Sequence, residues 1–172
     1  MKTRNIRLNV ATALAALAMA VSSTASLATD APRSAPTRLL PSEIPWPAQA
    51  VSQQAGSSMQ SGVQSLIVHG DAGKAELYSI MFKVAPNAAI PAHSHPDDRS
   101  CFVTNGLWYF GYGDRYDESA LKALPPGSHY TEPANLNHFA GTKGEGAIVE
   151  CTSMGPAGTV FADHANDPRS GR

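Results

Sequence analysis

One stretch, SCFVTNGLWYFGY at residues 100–112, most constrains what this chain can fold into. Apolar side chains alternate on both sides of Asn105-Gly106, and a period of two residues is that of a β-strand. Asn-Gly favours a two-residue type I′ turn, because both central residues need positive φ. The stretch therefore predicts an antiparallel hairpin with one bulky interior face, formed by Arg99, Cys101, Val103, Trp108, Phe110 and Tyr112.

The rest of the chain from residue 63 onward has the same character. In ELYSIMFKV the alternation places Tyr78, Ile80, Phe82 and Val84 on one face, and further short apolar runs recur up to residue 162. Thirteen prolines and fourteen glycines separate these runs with turns. Only DESALKAL, residues 117–124, predicts a helix, of about two turns. Many short strands between regular turns predict an all-β sandwich or small barrel.

The first 62 residues differ in composition. Residues 1–28 combine three early basic residues, an apolar core and small residues at Ser26 and Ala28, which is the layout of a secretory signal peptide. We therefore expect a periplasmic or secreted protein with no membrane attachment after cleavage. Residues 29–62 are rich in Pro, Ser and Ala and predict an extended arm, packed on the domain through Leu39, Leu40, Ile44 and Trp46.

Charge and motifs exclude several classes of function. The formal net charge is -1, whereas a nucleic-acid-binding domain needs a clustered basic excess, so no nucleic-acid partner is expected. The sequence contains no nucleophile elbow, phosphate-binding loop or paired-cysteine motif.

His93 and His95 stand one residue apart in IPAHSHPDD. On one strand their Cα atoms lie roughly 6–7 Å apart and their side chains point the same way. That spacing suits two bonds of about 2.0–2.1 Å to one metal ion. Side chains alternate along a strand, and both histidines are an even number of residues from Arg99, which lies on the predicted interior face. Both rings are therefore predicted to point inward. Two surface histidines at a strand end remain the alternative unless a third ligand is found.

Two groups of residues in this chain are spaced as in the two motifs of the cupin superfamily. This resemblance provides the third ligand. Asn87, His93, His95, Arg99 and Gly106 match the positions of the first motif, and Gly127, Pro133, Asn135 and His138 match those of the second. The resemblance covers residues 63–162 and leaves 163–172 as a tail. It implies an antiparallel jelly-roll β-barrel that binds one divalent first-row transition metal (Fe, Zn, Mn, Ni or Cu) through His93, His95 and His138.

The chain departs from the cupin pattern at several positions. Asn replaces glycine at 87 and 135, and it tolerates left-handed backbone nearly as well. Arg99 replaces the glutamate that ligates the metal in typical cupins, and a guanidinium cannot be a ligand. Glu132 is the candidate replacement, provided that it faces His138 across a hairpin. Water molecules, Asp97 and Asp98 are the other candidates for the open position.

Arg99 itself has three interpretations. It pairs with Glu132 and holds it, it binds a substrate carboxylate or phosphate, or it turns outward to Asp97 or Asp98. Trp108, Tyr112 and Tyr130 are the aromatic candidates for a substrate pocket near the mouth of the barrel.

The resemblance also places Cys101 and Cys151 on neighbouring strands. They then form one disulfide, which export permits, or remain as two buried thiols.

The resemblance implies a metal-dependent enzyme, such as a dioxygenase, isomerase or lyase, that acts on a small and perhaps anionic molecule. The alternative is a non-catalytic metal-binding or sensing module. Fold alone does not decide between them. Cupins often form homodimers, so a second copy is a further candidate partner beside the small-molecule ligand.

Overall fold

The computed structural model describes residues 36–48 and 54–170. The predicted signal peptide, residues 1–28, lies outside these residues. Ten strands account for most of the regular structure: β1 (Val63–His69), β2 (Leu77–Val84), β3 (Ala89–Ser94), β4 (Arg99–Gly106), β5 (Trp108–Tyr112), β6 (Lys122–Leu124), β7 (His129–Glu132), β8 (His138–Gly141), β9 (Ala147–Met154) and β10 (Val160–Phe161).

The strands form two five-stranded antiparallel sheets. Sheet one has the order β1-β2-β9-β4-β7, and sheet two has the order β10-β3-β8-β5-β6. Inward side chains of both sheets make the core, as the alternation predicts: Tyr78, Ile80 and Val84 are buried and Phe82 packs against them. The all-β jelly-roll fold predicted from the sequence is confirmed.

The predicted hairpin at Asn105-Gly106 is wrong. β4 pairs with β7 and β9 in sheet one, whereas β5 pairs with β6 and β8 in sheet two. Gly106 does take a positive φ of 71°, but Asn105 stays in β4 opposite Ile148. The chain therefore crosses from sheet one to sheet two at this point. The predicted interior face is still buried, except for Tyr112, which is exposed.

The helix predicted at 117–124 is also wrong. Glu118–Ala120 forms one 3₁₀ turn, capped by Asp117, and Lys122–Leu124 is strand β6. Pairing with β5 places Leu124 opposite Trp108 and buries it, so tertiary contacts override the local helix propensity. The other 3₁₀ turns among the described residues are Pro41–Glu43 and His164–Asn166. Within the described ranges, no helix has the length and apolar run needed to cross a bilayer.

The arm packs on the domain through only some of the residues predicted to do so. Ile44 and Trp46 are partly buried, and Gln64 donates a hydrogen bond to the Pro47 carbonyl at 2.7 Å. Leu39 and Leu40 are exposed, which contradicts their predicted packing.

A disulfide joins the two central strands of sheet one. Cys101 on β4 lies directly opposite Cys151 on β9, and the two are bonded. Both residues are fully buried. The neighbouring strands that the resemblance implied are confirmed, and of the two alternatives for the cysteines the disulfide is the one present.

Candidate metal centre

Three histidine side chains converge inside the barrel on sheet two. His93 on β3 pairs with His138, the first residue of β8, and His95 follows the end of β3. All three are at most 5% exposed. One ring nitrogen of each lies within 4.8 Å of those of the other two. The inward direction predicted for both residues of the His-x-His pair is thus correct.

Backbone carbonyls determine which ring nitrogen carries the proton. Nδ1 of His93 lies 2.7 Å from the Pro91 carbonyl, that of His95 lies 2.6 Å from the Gly158 carbonyl, and that of His138 lies 3.1 Å from the Leu136 carbonyl. A carbonyl oxygen only accepts, so each Nδ1–H donates. Each Nε2 is therefore left with a lone pair, which is the state that binds a metal ion.

Burial keeps the three rings neutral. It lowers the pKa of His93 to about 3 and that of His138 to about 4, and it lowers the pKa of His95 well below its ordinary value. Neutral imidazoles with converging lone pairs are the donor set that a first-row divalent cation takes.

Glu132 approaches the histidines from the opposite sheet. Its Oε2 lies 3.4 Å from Nε2 of His95 and 3.8 Å from Nε2 of His138, and the residue is 6% exposed. The predicted hairpin between Glu132 and His138 is wrong, since β7 belongs to sheet one and β8 to sheet two. The carboxylate nevertheless faces the histidines because the two sheets pack face to face. Burial raises the pKa of the Glu132 carboxyl, and Arg99 opposes that rise.

Arg99 points into the barrel beside Glu132, its direct cross-strand partner. Its Nη1 lies 3.5 Å from Glu132 Oε2, and its Nε donates to Asp97 Oδ2 at 3.1 Å. Tyr78 donates to the same Asp97 oxygen at 2.6 Å. Burial alone would raise the pKa of Asp97, but Arg99 and Tyr78 hold that pKa below its ordinary value. Arg99 is thus held between two carboxylates. Of the three interpretations of Arg99, the outward orientation is excluded and the pairing with Glu132 is present.

The unpartnered polar atoms of the interior collect around one cavity. Among the described residues, six buried side-chain polar atoms make no hydrogen bond, and five of them belong to residues that line this cavity: Ser58 Oγ, Arg99 Nη2, Trp108 Nε1, Glu132 Oε2 and His138 Nε2. Buried polar atoms ordinarily have partners. Their convergence with the three histidines fits a site that holds an ion and its ligands.

The aromatic candidates divide into two groups. Trp108 and Tyr130 line the cavity, from sheets two and one respectively. Tyr112 is 48% exposed and donates to the Thr131 carbonyl at 2.8 Å, so its side chain lies at the surface and outside the cavity lining. Asp98 is exposed as well and accepts from the Ala134 amide, which places it in a turn.

Sequence reasoning missed the segment at residues 54–59. Gly56 and Ser58 line the same cavity and are buried, although the arm was predicted to lie outside the barrel. A Ser/Gly/Ala-rich stretch without apolar periodicity carries no signal of burial.

Comparison with known proteins identifies relatives of the fold. No protein-family model matches the sequence, and no curated protein matches it. The polyketide cyclase RemF from Streptomyces resistomycificus superposes with a TM-score of 0.55 at 18% identity, covering 78% of this chain and 90% of that chain. The DMSP lyase DddQ from Ruegeria pomeroyi DSS-3 superposes with a TM-score of 0.52 at 17% identity, covering 67% of this chain and 59% of that chain. This chain thus spans little more than half the length of DddQ, and at such identities the likeness shows the fold.

Proposed function

Because the chain has the fold of the cupin superfamily, we propose that it is a metal-dependent enzyme acting on a small anionic molecule. His93, His95, His138 and Glu132 would hold one divalent first-row transition metal ion. The observation that carries the proposal is the set of three Nε2 lone pairs that face one another beside a buried carboxylate. Histidine and carboxylate together suit Fe, Zn, Mn, Ni and Cu.

The bound ion would supply Lewis-acid activation of a ligand in the cavity. The protein groups orient and enclose that ligand. Arg99 fixes the direction of the Glu132 carboxylate, while Asp97 and Tyr78 fix Arg99. Trp108 and Tyr130 exclude bulk water from the cavity, and Trp108 offers it an unpartnered N–H group. Solved structures of the same fold are named as a DMSP lyase and a polyketide cyclase.

Metal analysis of two histidine variants tests the centre. We expect about one equivalent of metal in the wild-type protein after loading with Zn²⁺, Fe²⁺ or Mn²⁺, and loss of most of it in His138→Ala. His129→Ala is the matched control, because His129 is exposed and hydrogen-bonds only to Ser100 on the outer face of sheet one. Full retention of metal by His138→Ala would refute the centre.

Glu132→Gln tests the fourth ligand separately. Loss of a carboxylate ligand should weaken metal binding by more than the roughly 10–100-fold that loss of a group hydrogen-bonded to a ligand costs, measured by competition with a chromophoric chelator. An unchanged affinity would place the carboxylate outside the coordination sphere. Turnover is then sought with small carboxylates, catechols and thiols on the Fe-, Zn- and Mn-loaded forms.

We also propose that residues 1–28 direct export. The arrangement of basic, apolar and small residues supports this, as does a buried disulfide, which is typical of oxidising compartments. N-terminal sequencing of the expressed protein should find Thr29 as the first residue. Retention of Met1 in the cell fraction would contradict export.

A further inference from the structure

The segment Gln54–Met59, called the plug below, forms a wall between two cavities. The inner cavity, of about 30 Å³, contains the histidines. The outer cavity, of about 330 Å³, is lined by Gln54, Ala55, Met59 and the tail residues Pro168 and Arg169. Gly56 lines both. Since a water molecule needs roughly 10–15 Å³ of such volume, the inner cavity admits an organic ligand only when the plug moves.

Hydrogen bonds to the rest of the domain hold the plug in place, among them one that Ser65 Oγ donates to Gln54 Oε1 at 3.4 Å. Thr159 Oγ1 donates to the Ser57 carbonyl at 3.0 Å, and Arg99 Nη1 donates to the Gly56 carbonyl at 3.1 Å. Gly56 has a φ of 81°, and a Cβ there would lie 2.6 Å from Arg99 Nη2. Glycine is therefore required for the Gly56 carbonyl to reach the guanidinium.

The guanidinium is only partly used by the protein. Nε donates to Asp97 and Nη1 to Gly56, whereas Nη2 is buried and makes no hydrogen bond to any described residue. Nη1 and Nη2 are parallel donors whose spacing matches the two oxygens of a carboxylate. The Gly56 carbonyl thus fills half of a carboxylate site.

The buried charges determine which anion fits. A carboxylate that ligates a metal ion is deprotonated, so in the loaded site Glu132 and Asp97 supply two negative charges against one positive charge on Arg99, beside neutral histidine ligands. A divalent ion would leave one net positive charge in the interior, where an unbalanced charge is costly. A ligand with one negative charge balances this net positive charge, whereas a ligand with two negative charges does not.

We propose that Arg99 binds the carboxylate of a small monocarboxylate substrate beside the metal ion, and that the Gly56 carbonyl takes the place of that carboxylate in the free protein. This rests on the proposed metal centre, because the same anion contacts the ion. Binding displaces the plug from Arg99 and joins the inner and outer cavities.

Acetate is the probe, and the visible spectrum of the Co²⁺-loaded full chain is the readout. We expect acetate to change the spectrum saturably and inorganic phosphate to bind more weakly. Arg99→Lys keeps the charge but loses the two-pronged donor geometry, so acetate should bind about tenfold or more weakly. The affinity is compared per bound Co²⁺, because Arg99 also orients Glu132. Arg99→Gln is the second variant if the lysine form does not fold.

Thr159→Val loosens the plug without touching Arg99. Thr159 Oγ1 also lies 3.4 Å from His95 Nδ1, so the Co²⁺ content of this variant is measured together with its acetate affinity. Loss of one hydrogen bond from the closed state should tighten acetate binding about three- to tenfold. Thr104→Val is the matched control, because Thr104 makes the same kind of hydroxyl-to-carbonyl bond, to Ile148, on the exposed side of β4. This control should bind acetate as the wild type does.

Each of the remaining outcomes refutes one part of the proposal. If Co²⁺ binds but acetate leaves the spectrum unchanged in every variant, the carboxylate site is refuted and the metal centre stands. Tighter binding of phosphate than of acetate refutes a monocarboxylate substrate. Wild-type affinity in Arg99→Lys refutes the role of Arg99, and wild-type affinity in Thr159→Val refutes the plug. Absence of bound Co²⁺ refutes the proposed function itself.

Discussion

Replacing Asp97 by asparagine should destabilise the metal-free protein by about 3 kcal/mol. The Asp97 and Arg99 side chains are only 2% and 1% exposed, and they are linked at 3.1 Å. Removing one partner of a buried ion pair costs about 3–5 kcal/mol, and here it takes from the guanidinium its nearest, hydrogen-bonded carboxylate. We expect the lower end of this range. Glu132 lies 3.5 Å from Arg99 and offsets part of the loss, and the asparagine oxygen still accepts one hydrogen bond.

Urea unfolding of the metal-free protein measures this change. Asp98→Asn is the matched control: Asp98 is the next residue, is exposed and accepts one amide hydrogen bond from Ala134, so its loss should cost about 1 kcal/mol or less. Tyr78→Phe removes only one bond to Asp97 and should cost about 1–2 kcal/mol. If Asp97→Asn costs no more than Asp98→Asn, the buried pair does not hold Arg99 as described.

Two further predictions concern stability. Reduction of the Cys101–Cys151 disulfide, which spans 50 residues of sequence, should lower the free energy of unfolding by about 4 kcal/mol; a urea midpoint that is unchanged by reductant would contradict this. The metal-free protein should also lose stability below about pH 6.5. The pKa values of His93 and His138 fall from 6.5 in the unfolded chain to about 3 and about 4 in the fold. Unfolding therefore takes up protons as the pH falls, at about 1.4 kcal/mol per pH unit for each ring. Thermal midpoints that stay flat between pH 7 and 5 would show that these rings are not buried and neutral.

Local pattern predicted the side-chain directions well. Alternation placed Tyr78 and Ile80 in the core, and motif spacing predicted that Asn87 and Asn135 take left-handed backbone, which they do with φ of 59° and 60°. Both features depend on sterics within a few residues, so the neighbouring sequence contains the information.

The pairing of the strands could not be predicted from the local sequence pattern. Asn105-Gly106 has the residue types of a hairpin turn, yet β4 and β5 end in different sheets. Whether β4 and β5 pair with each other depends on the hydrogen bonds and side-chain contacts that β7, β8 and β9 make with them instead. That is a sum over contacts distant in sequence, and a local turn preference of about 1 kcal/mol does not outweigh it.

By itself, the sequence determined the β-rich architecture and the inward direction of His93 and His95, because the period of a strand is a local property. The resemblance to the cupin motifs added His138 to them. Only the tertiary structure decided which side chains face these imidazole rings. Packing of sheet one on sheet two places Glu132 and Arg99 against His95 and His138, and it draws Gly56 from the arm onto the guanidinium. These contacts join segments that share no sequence neighbourhood, and burial of both sheet faces in one core fixes them.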